Sequence, residues 1–290
     1  TNLSLAEDVI GTKINKSNWL LNKDNGKLTK NVEITCPLDN IYHICGPRTA
    51  SQWFKNFYDI ISEFIGMSLC DFEIGRHYGW DYRPFNERFE DLGIDKKVLV
   101  CPFYLSYENF RSFPKNSENY KSICVIRDPR DQLISFYNSV RYSHPQIGFH
   151  PKWRARLEAY KNDKESIIEA LKIMKEFGII DAMDSYKHFY NDPKCLVFKY
   201  RDLFGSEQFA HFRHLVDWLE IPISYAELGQ VLAVLNFKNM ACGRDRGKGD
   251  KFAHYRKGIP DDWKNYFDED LSAKFEEIAG NIITNLKYNP

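Results

Sequence analysis

The chain has 290 residues, with 40 Lys+Arg set against 40 Asp+Glu and an aromatic content of 15%. Zero net charge excludes a global field drawing the protein to nucleic acid or an anionic membrane, so any anion site must be local. The length allows a large core, the aromatics exclude a disordered chain, and no stretch approaches eighteen consecutive apolar residues, which excludes a membrane-spanning helix.

The start, TNLSLAEDVIGTKINK, lacks the basic-then-apolar order of a signal peptide. Residues 1–38 are Asn/Lys-rich and weakly patterned, and are expected to form an appendage on a single domain whose core spans 40–290. An apolar run, NIYHIC at 40–45, then ends in Gly46-Pro47-Arg48, and Ala50-Ser51-Gln52-Trp53 opens a helix. Trp53, Phe57, Ile60, Ile61 and Phe64 lie on one face of that helix. Further apolar runs follow at 97–101 (KVLVC), 122–126 (SICVI) and 195–200 (CLVFKY). They are continuous rather than alternating, as expected for strands covered on both faces. Asp128-Pro129 reads as an N-cap and first helical residue, with Leu133, Phe136, Tyr137 and Val140 inward. Leu271, Phe275, Ile278 and Ile282 repeat a helical stripe near the end. Strands alternating with helices predict a three-layer α/β/α domain with a central parallel sheet.

Seven cysteines form no Cys-x2-Cys pair. Cys45, Cys101, Cys124 and Cys195 lie in apolar runs and read as small buried residues with reduced thiols, so a cytoplasmic, reducing compartment is expected. The Gly- and Lys/Arg-rich stretch CGRDRGKGDKFAHYRKG, 242–258, reads as a long mobile loop.

Several segments offer groups for one anion. A strand running into a helix N-terminus presents free N–H groups and the positive end of the dipole, and Arg48, Thr49 and Ser51 add donors there. Arg127 ends a second strand, with Ser135 on the helix that follows. Tyr200 ends a third. Arg256 and Lys257 are adjacent, and Gly258 permits close backbone approach. Taken singly, each has an ordinary structural explanation.

Together they resemble the sulfotransferase family that uses 3'-phosphoadenosine-5'-phosphosulfate (PAPS). The family's Pro-Lys-Ser-Gly-Thr-Thr-Trp loop is matched by Pro47 to Trp53. Its Arg and Ser eight residues apart are matched by Arg127 and Ser135. Its Tyr-Glu-Asp-Leu is matched by Tyr200-Arg201-Asp202-Leu203, and its Phe-x-x-Met by Phe237 to Met240. Its Arg-Lys-Gly-x-x-Gly-Asp-Trp-Lys-Asn is matched at 256–265, with Asp261 in place of the second glycine.

The resemblance implies a P-loop-NTPase-like fold and transfer of a sulfuryl group from PAPS to a small-molecule hydroxyl, or less favourably an amine. The product would be 3'-phosphoadenosine 5'-phosphate (PAP), with no metal required. Arg48 would replace the loop lysine at the bridging oxygen, acting electrostatically because a guanidinium does not give up its proton. Thr49, Ala50, Ser51 and Gln52 would hold the 5'-phosphate. Arg127, Ser135, Arg256, Lys257 and the Gly258 N–H would hold the 3'-phosphate. Trp53 and Phe237 would sandwich adenine with Tyr200 at its edge, although Trp53 equally suits the core.

Family members of the cytosolic type carry a histidine at the end of the strand corresponding to 97–101, and this chain reads VLVCPFYL there. His77, then Glu73, then Glu108 are the candidates for the base that takes the acceptor proton. An aromatic acceptor pocket is expected from 70–110 and 142–190, including Tyr78, Trp80, Tyr82, Tyr104, Tyr107, Tyr142 and Trp153. The family's Lys-x-x-x-Thr-Val-x-x-x-Glu dimerisation stretch is not kept after Lys264, so a monomer, or a dimer built elsewhere, is expected. Two alternatives stay open: a catalytically inactive 3'-phosphoadenosine-nucleotide-binding protein, and a P-loop-type kinase, which the missing Gly-x4-Gly-Lys-Ser/Thr disfavours.

Overall fold

The computed structural model describes residues 19–21, 28–30, 35–71, 97–115 and 117–289. A short antiparallel hairpin, β1 (Trp19–Leu21) and β2 (Leu28–Lys30), comes first. Among the described residues the main sheet has five strands: β3 (Asn40–Cys45), β4 (Ser68–Cys70), β5 (Val98–Phe103), β6 (Tyr120–Ile126) and β7 (Cys195–Lys199). Their order is β4-β5-β3-β6-β7, and every pairing is parallel. Each of the apolar runs at 40–45, 97–101, 122–126 and 195–200 therefore holds a strand, the last ending at Lys199, so that Tyr200 begins a helical turn rather than ending the strand.

β3 is buried along its whole length, and its side chains divide by parity between two cores. Ile41 and Cys45 face a layer with Phe54, Phe57 and Ile61 of helix α1 (Ser51–Ile65). Tyr42 and Ile44 face Leu133, Phe136 and Tyr137 of a second helix. Both faces are covered, which is why the strand sequence does not alternate. Between these helices lies α2 (Tyr107–Ser112); the second layer is led by α3 (Pro129–Asn138), with Pro129 at its first turn and Asp128 accepting from the Arg130 N–H. A π-helical turn, Ser139–Ser143, extends α3, and α4 (His150–Glu158), α5 (Asp163–Glu176) and α6 (Ile179–Ser185) complete that side.

After β7 come α7 (Tyr200–Leu203), α8 (Gln208–Trp218), α9 (Tyr225–Val234) and α10 (Phe237–Met240). The chain ends with α11 (Glu269–Ala279) and α12 (Ile282–Asn285). No helix among the described residues is long and apolar enough to cross a membrane.

β3 is central and the chain crosses it, from β5 on one side to β6 on the other. In open α/β sheets that switch point is where ligands bind, outside the carboxyl ends of the strands. Register decides which residues meet there. Cys45 pairs with Val125, Ile126 with Lys199, and Ile44 with Phe103. Residues just past these positions emerge at one level: Arg48 after β3, Tyr104 after β5, Arg127 after β6 and Tyr200 after β7.

Candidate active site

The turn after β3 is built on an unusual backbone. Arg48 and Ala50 take left-handed conformations (φ 71 and 64) on either side of Thr49, which does not. L-residues adopt this region at a cost of about 1–2 kcal/mol each. The Thr49 hydroxyl closes the turn by donating to the Gly46 carbonyl at 2.7 Å, and Gln132 donates to the Pro47 carbonyl at 2.6 Å. Left-handed residues alternating with others are the kind of backbone that can turn successive N–H groups toward an anion. Ala50 is also the N-cap of α1 and provides no side-chain acceptor for the helix's first N–H groups.

Arg48 is half-buried, and its Nε donates to Ser135 Oγ at 3.3 Å. Ser135 is the one residue of α3 that is not buried, so the helix turns a hydroxyl toward the turn while its other positions pack. Burial is the main cause lowering the Arg48 pKa, to about 10; Tyr104 opposes it, while Arg127 and Arg256 repel the cation further. Arg48 is still charged at neutral pH, and the Arg127 and Arg256 guanidiniums stand close enough to bear on it.

Arg127 is buried, donates from Nη1 to the Arg48 carbonyl at 3.1 Å, and lies 4.5 Å over the Tyr200 ring. Its Nε is buried without a hydrogen-bond partner among the described residues and sits 4.0 Å from Asp131 Oδ2. Asp131 also accepts from the Asp261 and Trp263 N–H groups at 2.7 and 2.9 Å, tying the 256–265 segment to α3.

Arg256 and Lys257 both bind Asp262, at 2.5 and 2.6 Å. Asp262 is 1% exposed, and Asn265 donates to it as well. Burial raises its pKa, but the Lys257 and Arg256 hydrogen bonds outweigh burial and hold the carboxyl below its ordinary value. Gly258 has φ 69, and a Cβ there would stand 2.3 Å from the Phe237 ring. Only glycine lets the backbone pass beneath Phe237.

The structure thus brings together Arg48, Thr49, Ser51, Arg127, Ser135, Tyr200 and Arg256, with Lys257 beside them. Trp53 is 6% exposed, stacks on Phe57 at 5.7 Å and donates from Nε1 to the Leu235 carbonyl at 2.7 Å. It is a core residue that pins the chain two positions before Phe237. Gln52 is exposed on the first turn of α1. Glu108 is exposed on α2, while Glu73 and His77 lie outside the described residues, as do Tyr78, Trp80 and Tyr82. Tyr107 packs on Phe189 and Trp153 on Phe136, in the helical layer. Tyr142, by contrast, lines an open cleft of about 390 Å³ together with Tyr137, Lys251, Arg256, Lys257 and Tyr266.

Three features escaped sequence reasoning. The Tyr104 hydroxyl lies 2.7 Å from Ser51 Oγ. Arg201 Nη2 bridges both oxygens of Asp261 at 2.8 and 2.7 Å, so the Glu-to-Arg and Gly-to-Asp departures face each other. The 242–258 segment, expected to be a mobile loop, folds back on itself. The Gly247 N–H reaches the Lys257 carbonyl, and the Arg244 guanidinium gathers the carbonyls of Lys248, Tyr255 and Arg256. A basic side chain turned inward satisfies the carbonyls that an open loop would leave to water.

A family model described as a sulfotransferase domain matches residues 57–287, beginning after the turn. The chain is 21% identical over 257 residues to a flavonol sulfotransferase-like protein of Flaveria bidentis, covering 82% of this chain and 80% of that one. It is 27% identical over 264 residues to an amine sulfotransferase of Oryctolagus cuniculus, covering 83% and 79%. Among solved structures, a mouse sulfotransferase complexed with PAP superposes with a TM-score of 0.60 at 18% identity, over 87% of this chain and 86% of that one. Retinol dehydratase in complex with androsterone and the inactive cofactor PAP gives 0.56 at 16% identity, over 91% and 89%. At these identities the structural likeness concerns the fold.

Proposed function

This chain belongs to the sulfotransferase family, and from that premise we propose that it moves a sulfuryl group from PAPS to the hydroxyl of a small molecule, by in-line attack. The observation that carries this reading is the convergence of Arg48, Arg127 and Arg256 on a turn whose backbone is already shaped for an anion. The fit to a bisphosphorylated nucleotide rests on two details. Arg127 keeps a buried donor, Nε, with no protein acceptor among the described residues, and Gly258 keeps a space that any Cβ would fill.

In this proposal Arg127, Ser135, Arg256, Lys257 and the Gly258 N–H hold the 3'-phosphate. Thr49, Ala50, Ser51 and Gln52 hold the 5'-phosphate through the turn and the start of α1. Arg48 faces the bridging oxygen, where charge grows as the S–O bond breaks; a fixed cation there favours the transition state over the ground state. Phe237 supplies the adenine face, Trp53 fixes the chain that carries it, and Tyr200 orients Arg127 from below. Sulfuryl transfer then depends on positioning and charge relief, as phosphoryl transfer does. From the sequence, His77 and after it Glu73 are the candidates for taking the acceptor proton.

All seven cysteines are free and five are buried, which agrees with a reducing, cytoplasmic setting. The acceptor is taken to approach from the β5 side of the turn, and the enzyme to act as a monomer or as a dimer formed away from the C-terminal stretch.

Calorimetry tests the cofactor. PAP should bind at micromolar concentration and 5'-AMP much more weakly, because only the former engages the 3'-phosphate groups. Arg256→Ala should cost PAP roughly 2–4 kcal/mol, the range for losing a charged partner of an anion. Equal affinities for the two nucleotides would remove the assignment.

A further inference from the structure

Resting on that sulfuryl-transfer reading, we infer that Tyr104 is a catalytic residue, the entry of a two-hydroxyl relay that carries the acceptor proton through Ser51 to the leaving 5'-phosphate. Tyr104 directly follows Phe103, the last residue of β5, and the Ile44–Phe103 register sets it level with Cys45, at the mouth of the anion turn. Its hydroxyl is 2.7 Å from Ser51 Oγ, and either oxygen can donate. Both residues are half-buried, so neither hydroxyl belongs to a residue sealed into the core. Ser51 is the first residue of α1, at the helix end whose N–H groups face the 5'-phosphate. Tyr104 is also close enough to Arg48 to bear on its charge. One phenol therefore adjoins both the group that would hold the leaving phosphate and the group that would face the bridging oxygen.

The chemistry requires a destination for one proton. The acceptor loses a proton as it attacks, and the leaving phosphate oxygen gains charge. Arg48 relieves that charge but does not surrender a proton. The leaving 5'-phosphate regains a second ionisation near neutral pH, about 6, and so can take up a proton as the bond breaks.

The step balances as follows. The acceptor oxygen forms a bond to sulfur while the bond from sulfur to the 5'-phosphate oxygen breaks, and its electron pair stays on that phosphate. The acceptor's proton passes to Tyr104 Oη, the proton of Tyr104 passes to Ser51 Oγ, and the proton of Ser51 passes to the 5'-phosphate. Each hydroxyl ends with one proton, and the products are a sulfate ester and protonated PAP. No charged base is consumed, and His77 and Glu73 need take no part.

Single-turnover measurements with PAPS test the relay, using 2-naphthol, 2-naphthylamine and water as acceptors. Tyr104→Phe keeps the ring and removes only the oxygen. It should bind PAP within about threefold of the wild type while slowing transfer about a hundredfold, the lower range for a lost proton-transfer partner. Ser51→Ala should slow transfer similarly. The double variant should be no more than about threefold slower than the worse single, because residues acting as a unit are not additive. The wild-type solvent isotope effect should report more than one proton in flight, and that of Tyr104→Phe fewer.

The relay is overturned if Tyr104→Phe transfers within about threefold of the wild-type rate, if the two losses multiply, or if the wild type binds PAP yet turns over none of the three acceptors. It is also overturned if His77→Ala abolishes transfer while Tyr104→Phe does not. Each of these outcomes leaves the cofactor assignment standing. A wild type that binds no PAP removes that assignment, and the relay with it.

Discussion

Gly258 sets the tightest steric constraint on the site, and replacing it with alanine separates two costs. The first is backbone strain: φ is 69, and an L-residue held there costs about 1–2 kcal/mol. The second is overlap. The new Cβ would lie 2.3 and 2.4 Å from two carbons of the Phe237 ring, whereas carbon contacts are most favourable near 3.5–4.0 Å. Phe237 has little freedom to withdraw. It opens α10, whose N-cap Asn236 accepts from the Asn239 N–H at 3.0 Å, and Trp53 grips the Leu235 carbonyl two residues earlier. Forced overpacking of this kind costs about 1–3 kcal/mol. Gly258→Ala should therefore destabilise the fold by about 2–5 kcal/mol in urea denaturation and weaken PAP binding measured by calorimetry. Measured in a Phe237→Ala background, whose own truncation of a buried ring costs about 3–5 kcal/mol, Gly258→Ala should cost only the backbone part of about 1–2 kcal/mol. A single variant within about 0.5 kcal/mol of the wild type, the usual spread for a harmless surface change, would refute the steric argument. So would a cost of Gly258→Ala that is unchanged in the Phe237→Ala background.

Two further outcomes follow from the charges around the 256–265 segment. Arg201→Glu alone should set two carboxylates together and destabilise by about 1 kcal/mol, while Arg201→Glu with Asp261→Gly should return to within about 0.5 kcal/mol of the wild type; additive losses in urea denaturation would show that the pair does not couple. Asp262→Asn should cost about 2–4 kcal/mol at pH 7, because Arg256 and Lys257 lose their common carboxylate. The Asp262 pKa is lowered in the fold, so its contribution is present above the unfolded value of about 3.9 and is lost as pH falls through the folded one. The gap between variant and wild type should close in acid, and a gap that stays constant from pH 7 to pH 3 would contradict this.

Much of the fold could be read from local pattern. NIYHIC, SICVI and CLVFK are strands because they are short, mostly apolar runs, and Asp128-Pro129 starts a helix through a cap that needs only neighbouring residues. The site was legible as a set of parts: Arg48, Arg127, Ser135 and Arg256 each follow from a strand end, a helix face or a glycine turn. Their assembly depends on register, which no local segment encodes. The approach of Tyr104 to Ser51 across 53 positions follows from Ile44 meeting Phe103, a long-range fact. The same holds for Arg201 and Asp261, two departures that look unrelated in sequence and make one ion pair in space. The 242–258 segment misleads for the opposite reason. Its composition suits a solvated loop, but Arg244 satisfies carbonyls on the far side of the turn, and composition does not record which way a guanidinium points.

A chain of zero net charge can still present a strongly cationic site, because its carboxylates divide into two kinds of work. Arg130 is matched by Asp128 and Arg201 by Asp261, so those pairs contribute no net field at the turn. Arg48, Arg127, Arg256 and Lys257 remain, set against Asp131 and Asp262. Four cations against two carboxylates leave two positive charges, close to the charge of about −1.5 to −2 carried by one phosphate monoester. Both of these carboxylates are buried. Asp262 is 1% exposed and is held by Arg256, Lys257 and Asn265, and Asp131 is 2% exposed and accepts from the Asp261 and Trp263 N–H groups. They hold mutually repelling cations in position before any ligand arrives, so an incoming phosphate meets donors already ordered, and less of its binding energy goes to ordering them. Arg48 differs from the other three: its guanidinium is held by a neutral hydroxyl, Ser135 Oγ, so it is the cation freest to respond to new negative charge. In the proposed reaction that is the property required of the residue that would face the breaking bond.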